Sequence, residues 1–233
     1  MRNALATSLL AGFGIIAIVS LRSPQDDPSW TREFHLEPDE LTTTGRNPYF
    51  ILEPGYQLVL ADGEDQLIIT VTNQTRRVGE VETRVVEERE SEDGELAEVS
   101  RNYFAISKRT NAVFYFGEEV DIYRDGKITS HEGAWSAGVN GARFGLMIPG
   151  LPLLGARYYQ EIAPGVAMDR AEILSISASV TTPAGTFRRV LRTAESTPLE
   201  PGRPELKVYA PGVGLLQDGS FELVSYGKVA WDE

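Results

Sequence analysis

The sequence predicts an all-β protein, an antiparallel meander that forms a curved half-barrel or barrel, preceded by one N-terminal transmembrane or signal helix. Segments rich in β-branched and alternating residues recur about every 8–14 residues after residue 47. Tight-turn dipeptides separate these segments, and no convincing helical period follows Leu21. Many short strands joined by tight turns are typical of sheets that close or half-close on themselves.

The N-terminus carries the segment that decides the compartment. Residues 4–21 contain no charged side chain and follow the positive charge of Arg2. Such a run suits a cleaved signal peptide or an uncleaved anchor, and the bulky Ile18 and Val19 near the candidate cleavage sites favour the anchor. Because positive charge stays inside, we expect a single-pass inner-membrane protein with its C-terminal domain in the periplasm, or a secreted or periplasmic domain if cleavage occurs.

Composition divides the chain into three parts. Residues 1–21 are the signal-anchor or signal peptide, 22–46 an extended tether rich in proline and acidic residues, and 47–233 a single β domain. We expect the apolar residues of the tether to hold it against the domain, or to lie near the membrane interface; they are Trp30, Phe34 and Leu36.

The charge and cysteine counts exclude several functions. The chain has 22 basic and 34 acidic residues, a net charge of −12, and no cysteine. Nucleic-acid binding is not expected, since it needs lysine and arginine to neutralise phosphates. Disulfides, thiol catalysis and thiolate metal sites are excluded.

The β domain reads as a series of strands. Asp93-Gly94 and Asp125-Gly126 are strong hairpin turn signals. The acid-rich segment 80–98 is predicted to form one solvated hairpin face, and the consecutive aromatics at 114–116 must occupy both faces of a strand. The segments with strand character are 57–61, 66–73, 80–90, 96–106, 111–116, 119–123, 127–130, 156–162, 171–181, 185–196, 205–209, 214–217 and 221–226.

Residues 133–164 differ from the rest, because glycines and prolines are interleaved with apolar side chains. Long loops in compact domains often cover something or carry function. We therefore expect a loop that plugs the mouth of a curved sheet, or one that contacts a ligand, a membrane or a partner. The residues predicted to bind a ligand or partner there are Trp135, Phe144, Met147, Tyr158 and Tyr159.

Several short sequence motifs resemble those of an uncharacterised family of exported bacterial β-rich proteins. They are Glu-Gly-Ala-Trp at 132–135, Tyr-Tyr-Gln-Glu at 158–161, Pro-Gly-Val-Ala at 164–167, Pro-Ala-Gly-Thr-Phe at 183–187 and Tyr-Ala-Pro-Gly-Val-Gly-Leu at 209–215. The closing phrase is similar to that of half-barrel periplasmic proteins such as lipoprotein carriers. The resemblance implies a half-barrel fold and supplies no assigned activity and no catalytic residues.

The sequence contains no catalytic or cofactor signature that we recognise. Neither a Gly-x-Ser-x-Gly elbow nor a phosphate-binding loop occurs, and histidine is limited to His35 and His131. We predict no metal site, no cofactor and no catalytic residue. Glu161 and Asp169, on either side of Pro164-Gly165, supply the weakest alternative, a carboxylate-based enzyme.

Three hypotheses for function result. The leading one is a non-enzymatic, membrane-tethered periplasmic domain that acts as an accessory or interaction subunit of a larger membrane protein complex. Its partners would be the inner membrane, through the N-terminal helix, and other subunits of that complex. The alternative is a periplasmic half-barrel that binds a lipid or apolar small molecule, and the third is the carboxylate-based enzyme.

Overall fold

The computed structural model describes residues 29–200 and 202–229. The N-terminal transmembrane or signal helix predicted at 1–21, and the first part of the predicted tether, lie outside the described residues. Within the described ranges, no helix is long and apolar enough to cross a membrane. The described chain is β throughout except for a single 3₁₀ turn at Pro38–Glu40, so the all-β prediction is confirmed for this part.

The chain folds into short and long strands. They are β1 (Leu41–Thr42), β2 (Gly45–Asn47), β3 (Phe50–Leu52), β4 (Tyr56–Asp62), β5 (Asp65–Val78), β6 (Val81–Glu92), β7 (Glu95–Ser107), β8 (Val113–Arg124), β9 (Lys127–Ser130), β10 (Trp135–Ser136), β11 (Arg143–Ile148), β12 (Arg157–Tyr159), β13 (Glu161–Ile162), β14 (Arg170–Thr182), β15 (Gly185–Ser196), β16 (Glu205–Ala210), β17 (Gly214–Asp218) and β18 (Phe221–Lys228).

Two antiparallel meanders join into one curved sheet. One meander runs from β4 to β8 and the other from β14 to β18, and the pairing of β18 with β4 joins them. Strands β11 and β13 extend the sheet beyond β8, and β12 extends it beyond β14. The two ends of the sheet, β12 and β13, are separated in the chain by Gln160 alone, so the sheet forms a nearly closed barrel.

The hairpin turns follow the predicted dipeptides. Asp93 and Gly94 have φ of 50° and 79°, and Asp125 and Gly126 have φ of 52° and 70°. Two successive residues with positive φ match the twist of the flanking strands, which explains why Asp-Gly marks both turns.

The segment 133–164, predicted as a glycine-rich loop with a strand at 156–162, contains four short strands, β10 to β13, each two to six residues long. Strands β12 and β13 lie within the predicted strand, which Gln160 divides. Strands β10 and β11 were not predicted; they form by pairing with the earlier strand β8. Glycine at Gly138 and Gly141, both with positive φ, separates β10 from β11.

The core has an inner and an outer part. The inner part fills the curve of the sheet and includes Leu60, Val86 and Leu223. The outer part lies on the other face of β7 and β8, where Phe34 of the predicted tether packs against Phe114 with ring centroids 5.9 Å apart. The aromatics at 114–116 therefore occupy both faces, and the tether covers the outer one.

The ends of the sheet meet at a close backbone crossing, which we call the seam. The backbone N–H groups of Gln160 and Glu161 both donate to the carbonyl oxygen of Asp169, at 2.8 and 3.3 Å. A Cβ atom added to Gly145 would lie 2.4 Å from both the carbonyl carbon and the oxygen of Gln160. Only glycine at position 145 leaves room for this crossing.

We predict that Gly145→Ala destabilises the folded protein by at least about 2 kcal/mol, because backbone atoms must move apart. The melting temperature should fall by about 4–8 °C. Differential scanning calorimetry would measure it, with Gly202→Ala as the matched control, since a Cβ there meets no atom closer than 3.9 Å. Equal melting temperatures for both variants would show that the seam does not constrain the fold.

Candidate functional site

The sheet encloses a cavity with two chemically different halves. The apolar half holds about 70 Å³ and is lined mainly by aromatic and branched side chains. The polar half holds about 220 Å³, opens to solvent, and is lined mainly by carboxylates. Glu88, Phe104, Met147 and Lys207 line both halves, so the two spaces adjoin.

Strand periodicity brings charged residues into this cavity. Residues two apart in a strand share a face. In β6, Glu88 follows the buried Val86 by two residues, and in β16, Lys207 precedes the buried Tyr209 by two. Each charged side chain therefore points to the same side of the sheet as a core residue.

Glu118 reaches the cavity because β8 carries a bulge. Phe104 of β7 pairs with Tyr115, and Asn102 pairs with Glu118, so a step of two residues in β7 matches three in β8. Gly117 has φ of 145°, a conformation that favours glycine. The extra residue turns Glu118 to the cavity side, whereas strict alternation from Tyr115 would turn it outward.

In one part of the cavity wall, Lys207 forms ion pairs with two carboxylates. The ammonium of Lys207 lies 3.0 Å from Asp218 Oδ2 and 3.7 Å from Glu195 Oε2. Glu195 Oε1 also accepts hydrogen bonds from the hydroxyls of Thr193 at 3.0 Å and Tyr209 at 3.3 Å. Burial alone would lower the pKa of Lys207, but the two carboxylates outweigh it and raise the pKa, so Lys207 stays charged.

For three other carboxylates of the cavity, burial outweighs the partners that favour the charged form, which include Lys207 for Glu88 and Tyr115 for Glu118. Burial raises the pKa of Glu88 to about 7 and that of Glu118 to about 7. Burial, with the neighbouring charges of Asp169 and Glu118, raises the pKa of Glu161 well above its ordinary value. Lys207 is the single basic residue among those that line the polar half. Burial therefore favours the protonated, neutral forms of these carboxyl groups, and a cation beside them would favour their charged forms.

Two buried acceptors at the seam also face the polar half. Gln160 and Glu161 are 3% and 5% exposed, and both line this half. The Oε1 atom of Gln160 and the Oε2 atom of Glu161 have no hydrogen-bond partner among the described residues. Since an unpaired buried polar atom typically costs about 1–3 kcal/mol, these atoms favour any ligand that brings hydrogen-bond donors.

A chain of neutral, hydrogen-bonded side chains, Tyr115, Asn102 and Ser100, lines the polar half beside Glu118. The hydroxyl of Tyr115 donates to Asn102 Oδ1, and Asn102 Nδ2 donates to Ser100 Oγ at 3.0 Å. Burial raises the pKa of Tyr115 well above its ordinary value, so it remains a neutral phenol. This chain orients polar groups without supplying positive charge.

The structure disperses the residues that the sequence predicts as a site. Met147 lines the cavity, where its sulfur accepts a hydrogen bond from Gln160 Nε2 at 3.6 Å. Trp135 is buried in the inner core, and Phe144 stacks on the outer cluster. Tyr158 and Tyr159 are buried on the β12 side of the seam.

Most cavity carboxylates escape sequence analysis. Glu88 and Glu98 belong to the acid-rich segment predicted as a solvated face, yet they line the cavity. The signal that could have placed Glu88 on the core side is its position two residues after the apolar Val86. Of the two carboxylates in the enzyme alternative, Glu161 is buried in the cavity, and Asp169 lies at its mouth with an exposed side chain.

The chemistry of the cavity suits an organic cation. In the described part of the chain, no three His, Cys, Asp or Glu side chains are grouped so that they could hold a metal ion. The polar half instead offers dispersed carboxylates and amide acceptors, which match the donors of an amine or guanidinium group.

Comparison with protein-family models, curated proteins and solved structures finds no match to this chain.

We predict that the cavity carboxylates make the protein less stable as the pH rises from about 4.5 to 7. Because the pKa values of Glu88 and Glu118 are raised to about 7 in the folded state, the folded protein binds more protons than the unfolded chain in this window. Both side chains are partly exposed, so each should contribute on the order of 1 kcal/mol, or about 2–4 °C in melting temperature.

Thermal unfolding of the wild type and of Glu88→Gln with Glu118→Gln, at pH 5.5 and 7.5, measures this effect. The double variant should lose much of the pH dependence that the wild type shows in this direction. The exposed Glu64→Gln is the surface control and should behave as the wild type. An unchanged pH dependence in the double variant would contradict the prediction.

Proposed function

We propose that this protein is a binding protein whose half-barrel takes up a small amphipathic cation. The observation that carries the proposal is the divided cavity, in which a carboxylate-rich half adjoins an apolar half through Glu88, Phe104, Met147 and Lys207. This refines the prediction of a half-barrel for apolar small molecules, since the mouth of the cavity is acidic.

The polar half would bind the cationic head of the ligand. Glu88, Glu118 and Glu161 have raised pKa values because burial disfavours their charged forms. An ammonium among them would stabilise the carboxylates, and its N–H groups would reach the unpaired acceptors of Gln160 and Glu161. Charge-assisted hydrogen bonds of this kind are stronger than neutral ones.

The apolar half would hold a short hydrocarbon portion. Its lining includes Phe50, Leu58, Val86 and Leu215, and its volume of about 70 Å³ limits the occupant to a few carbon atoms unless side chains move. Cavities that bind small molecules commonly combine apolar walls with a few placed polar groups.

We propose the inner membrane as the place of this activity, with the domain on the periplasmic side. The support is the uncharged run at residues 4–21 behind Arg2, together with the acidic chain that follows. The resemblance to half-barrel periplasmic proteins is compatible with a binding role.

The accessory-subunit hypothesis stays a prediction. Isolation from native membranes in mild detergent tests it, because a subunit should migrate with partners. Migration only as a free monomer, with no co-purifying protein, would contradict it.

We predict that the full-length protein in detergent binds n-butylamine but not butyrate, with butanol in between. The three probes share a chain length and differ in charge, so the order reports the acidic cavity directly. Isothermal titration calorimetry measures affinity, and bound amine should raise the melting temperature by mass action.

Glu118→Gln with Glu161→Gln should weaken butylamine binding about 10-fold or more, since a hydrogen bond to a charged group contributes about 1.5–3 kcal/mol. The surface variant Glu64→Gln should bind as the wild type does. If butyrate binds as well as butylamine, or if the double variant retains full affinity, the proposed ligand class is wrong. Native mass spectrometry of protein from its own membranes would then identify any resident molecule.

A further inference from the structure

The connection between β11 and β12 presents large apolar side chains to solvent. We call residues 149–156 the leucine loop. Leu151, Leu153 and Leu154 are 77%, 63% and 68% exposed. Single exposed leucines are ordinary on protein surfaces, but three within four residues form a patch that commonly marks a contact surface.

The fold holds this loop with its leucines outward. At its start, Asn47 Nδ2 donates to the carbonyl oxygen of Pro149 at 3.0 Å. At its end, the N–H of Gly155 donates to Ile173 O at 2.8 Å, and the N–H of Ile173 donates to Ala156 O at 2.9 Å. Both ends of the loop are thus hydrogen-bonded to strands β2 and β14.

The apolar patch continues onto the sheet beside the loop. In β14, Leu174 follows Ile173 directly and Ile176 lies three residues beyond Ile173; they are 45% and 41% exposed. Since Ile173 binds the end of the loop, Leu174 lies next to that end, and Ile176 continues the apolar surface along the strand. The patch therefore combines a projecting loop with a flanking apolar strand surface.

Basic residues surround the loop although the protein is acidic as a whole. The loop packs on the β7–β8 turn so closely that a Cβ on Gly150 would lie 1.8 Å from the carbonyl oxygen of Thr110. That turn carries the exposed Lys108 and Arg109, and the exposed Arg157 follows the loop directly. Arg109 and Arg157 also have neighbouring carboxylates, at 3.7 and 3.0 Å, and remain about half exposed or more.

The opposite end of the barrel is strongly acidic. Strand β7 runs from the β6–β7 turn to the β7–β8 turn and, at 13 residues, separates the two by about 40 Å. The distant turn carries Glu92, Asp93 and Glu95. An anionic surface would therefore repel this acidic end more than the leucine-loop end, where Asp39, Glu40 and Glu172 offset the three basic residues.

The chain enters the domain beside the leucine loop. The N–H of Thr31 donates to Arg157 O at 2.9 Å, and the N–H of Tyr159 donates to Thr31 O at 2.9 Å. Seven residues lie between Leu21 and Ser29, so even fully extended the eight Cα–Cα steps span at most about 28 Å. An anchor at residues 4–21 would keep this end of the domain close to the bilayer.

We propose that the leucine loop docks on the anionic phospholipid surface of the membrane, with the three leucines inserted among the acyl chains and the basic residues at the headgroups. The inference rests on the proposed membrane tether for its geometry. It adds an orientation in which the loop end faces the bilayer and the acidic turns face away.

Site-specific fluorescence on the full-length protein in vesicles tests the docking. The chain has no cysteine, so a single introduced cysteine can be labelled cleanly with a polarity-sensitive dye. We would label Leu153→Cys in the loop, Asp93→Cys at the far turn as the control, and Ile16→Cys in the N-terminal segment. The vesicles contain phosphatidylethanolamine with 30% phosphatidylglycerol, and spin-labelled lipid serves as the quencher.

We expect lipid quenching and a blue shift for the labels at positions 153 and 16, and neither for the label at 93. Quenching at 16 without quenching at 153 would overturn the docking and leave the tether standing. Quenching at 153 alone would support docking and overturn the tether, and quenching at neither position would overturn both.

Two further variants separate the apolar and the electrostatic contributions, both measured on the label at position 176 as Ile176→Cys. The first variant changes Leu151, Leu153 and Leu154 to serine. Because it loses apolar burial, the apparent association of the loop with the membrane, measured by quenching of this label, should fall about 10-fold. Arg109→Gln should reduce it by a smaller factor in anionic vesicles only. In native membranes, a photo-crosslinker attached at position 153 should react with lipid. A crosslink to a protein instead would overturn the proposal in favour of a protein partner.

Discussion

The seam between β12 and β13 is the contact on which the rest of this structure depends. There the backbone N–H groups of Gln160 and Glu161 share the carbonyl oxygen of Asp169, and the backbone crosses Gly145 with no space for a side chain. An open curved sheet would leave its inner carboxylates in bulk water. Since the seam brings the two ends of the sheet together, it converts the concave face into a cavity and places two buried acceptors on its wall.

Closure in turn creates an electrostatic imbalance. Lys207 forms ion pairs with Glu195 and Asp218 in one corner, while burial raises the pKa values of Glu88, Glu118 and Glu161. Burying carboxyl groups in this way lowers stability at neutral pH. Strongly shifted pKa values in a cleft are typical of functional sites, where such a loss of stability is offset by ligand binding.

The cavity and the leucine loop give the domain two distinct surfaces. The cavity mouth is acidic, whereas the loop end combines leucines with Lys108, Arg109 and Arg157. If the loop rests on the bilayer, the polar half of the cavity lies on the side away from it, because Glu98 stands only three residues from Glu95 at the distant turn. The two proposals are independent in their chemistry, because one depends on buried carboxylates and the other on exposed leucines.

The sequence by itself determined the strands and their turns, because those depend on neighbouring residues. Asp93-Gly94 and Asp125-Gly126 specify hairpins through two successive positive φ values. The acid-rich composition of 80–98, by contrast, predicted a solvated face and misplaced Glu88, which lines the cavity. The sequence also predicted that the apolar Phe34 of the tether packs against the domain, although not that it does so at Phe114.

Only the tertiary structure decided how those strands enclose a site. The bulge at Gly117 turns Glu118 to the cavity side of the sheet. It arises from the pairing of β8 with β7, in which two residues of β7 match three of β8, and the sequence of β8 does not predict this register shift. Likewise, β10 and β11, which the sequence did not predict, exist because they pair with β8. Lys207 meets Asp218, and Gly145 meets Gln160, through contacts that only a closed sheet creates. Local pattern therefore sets which residues form strands, and closure sets which of their charges face each other.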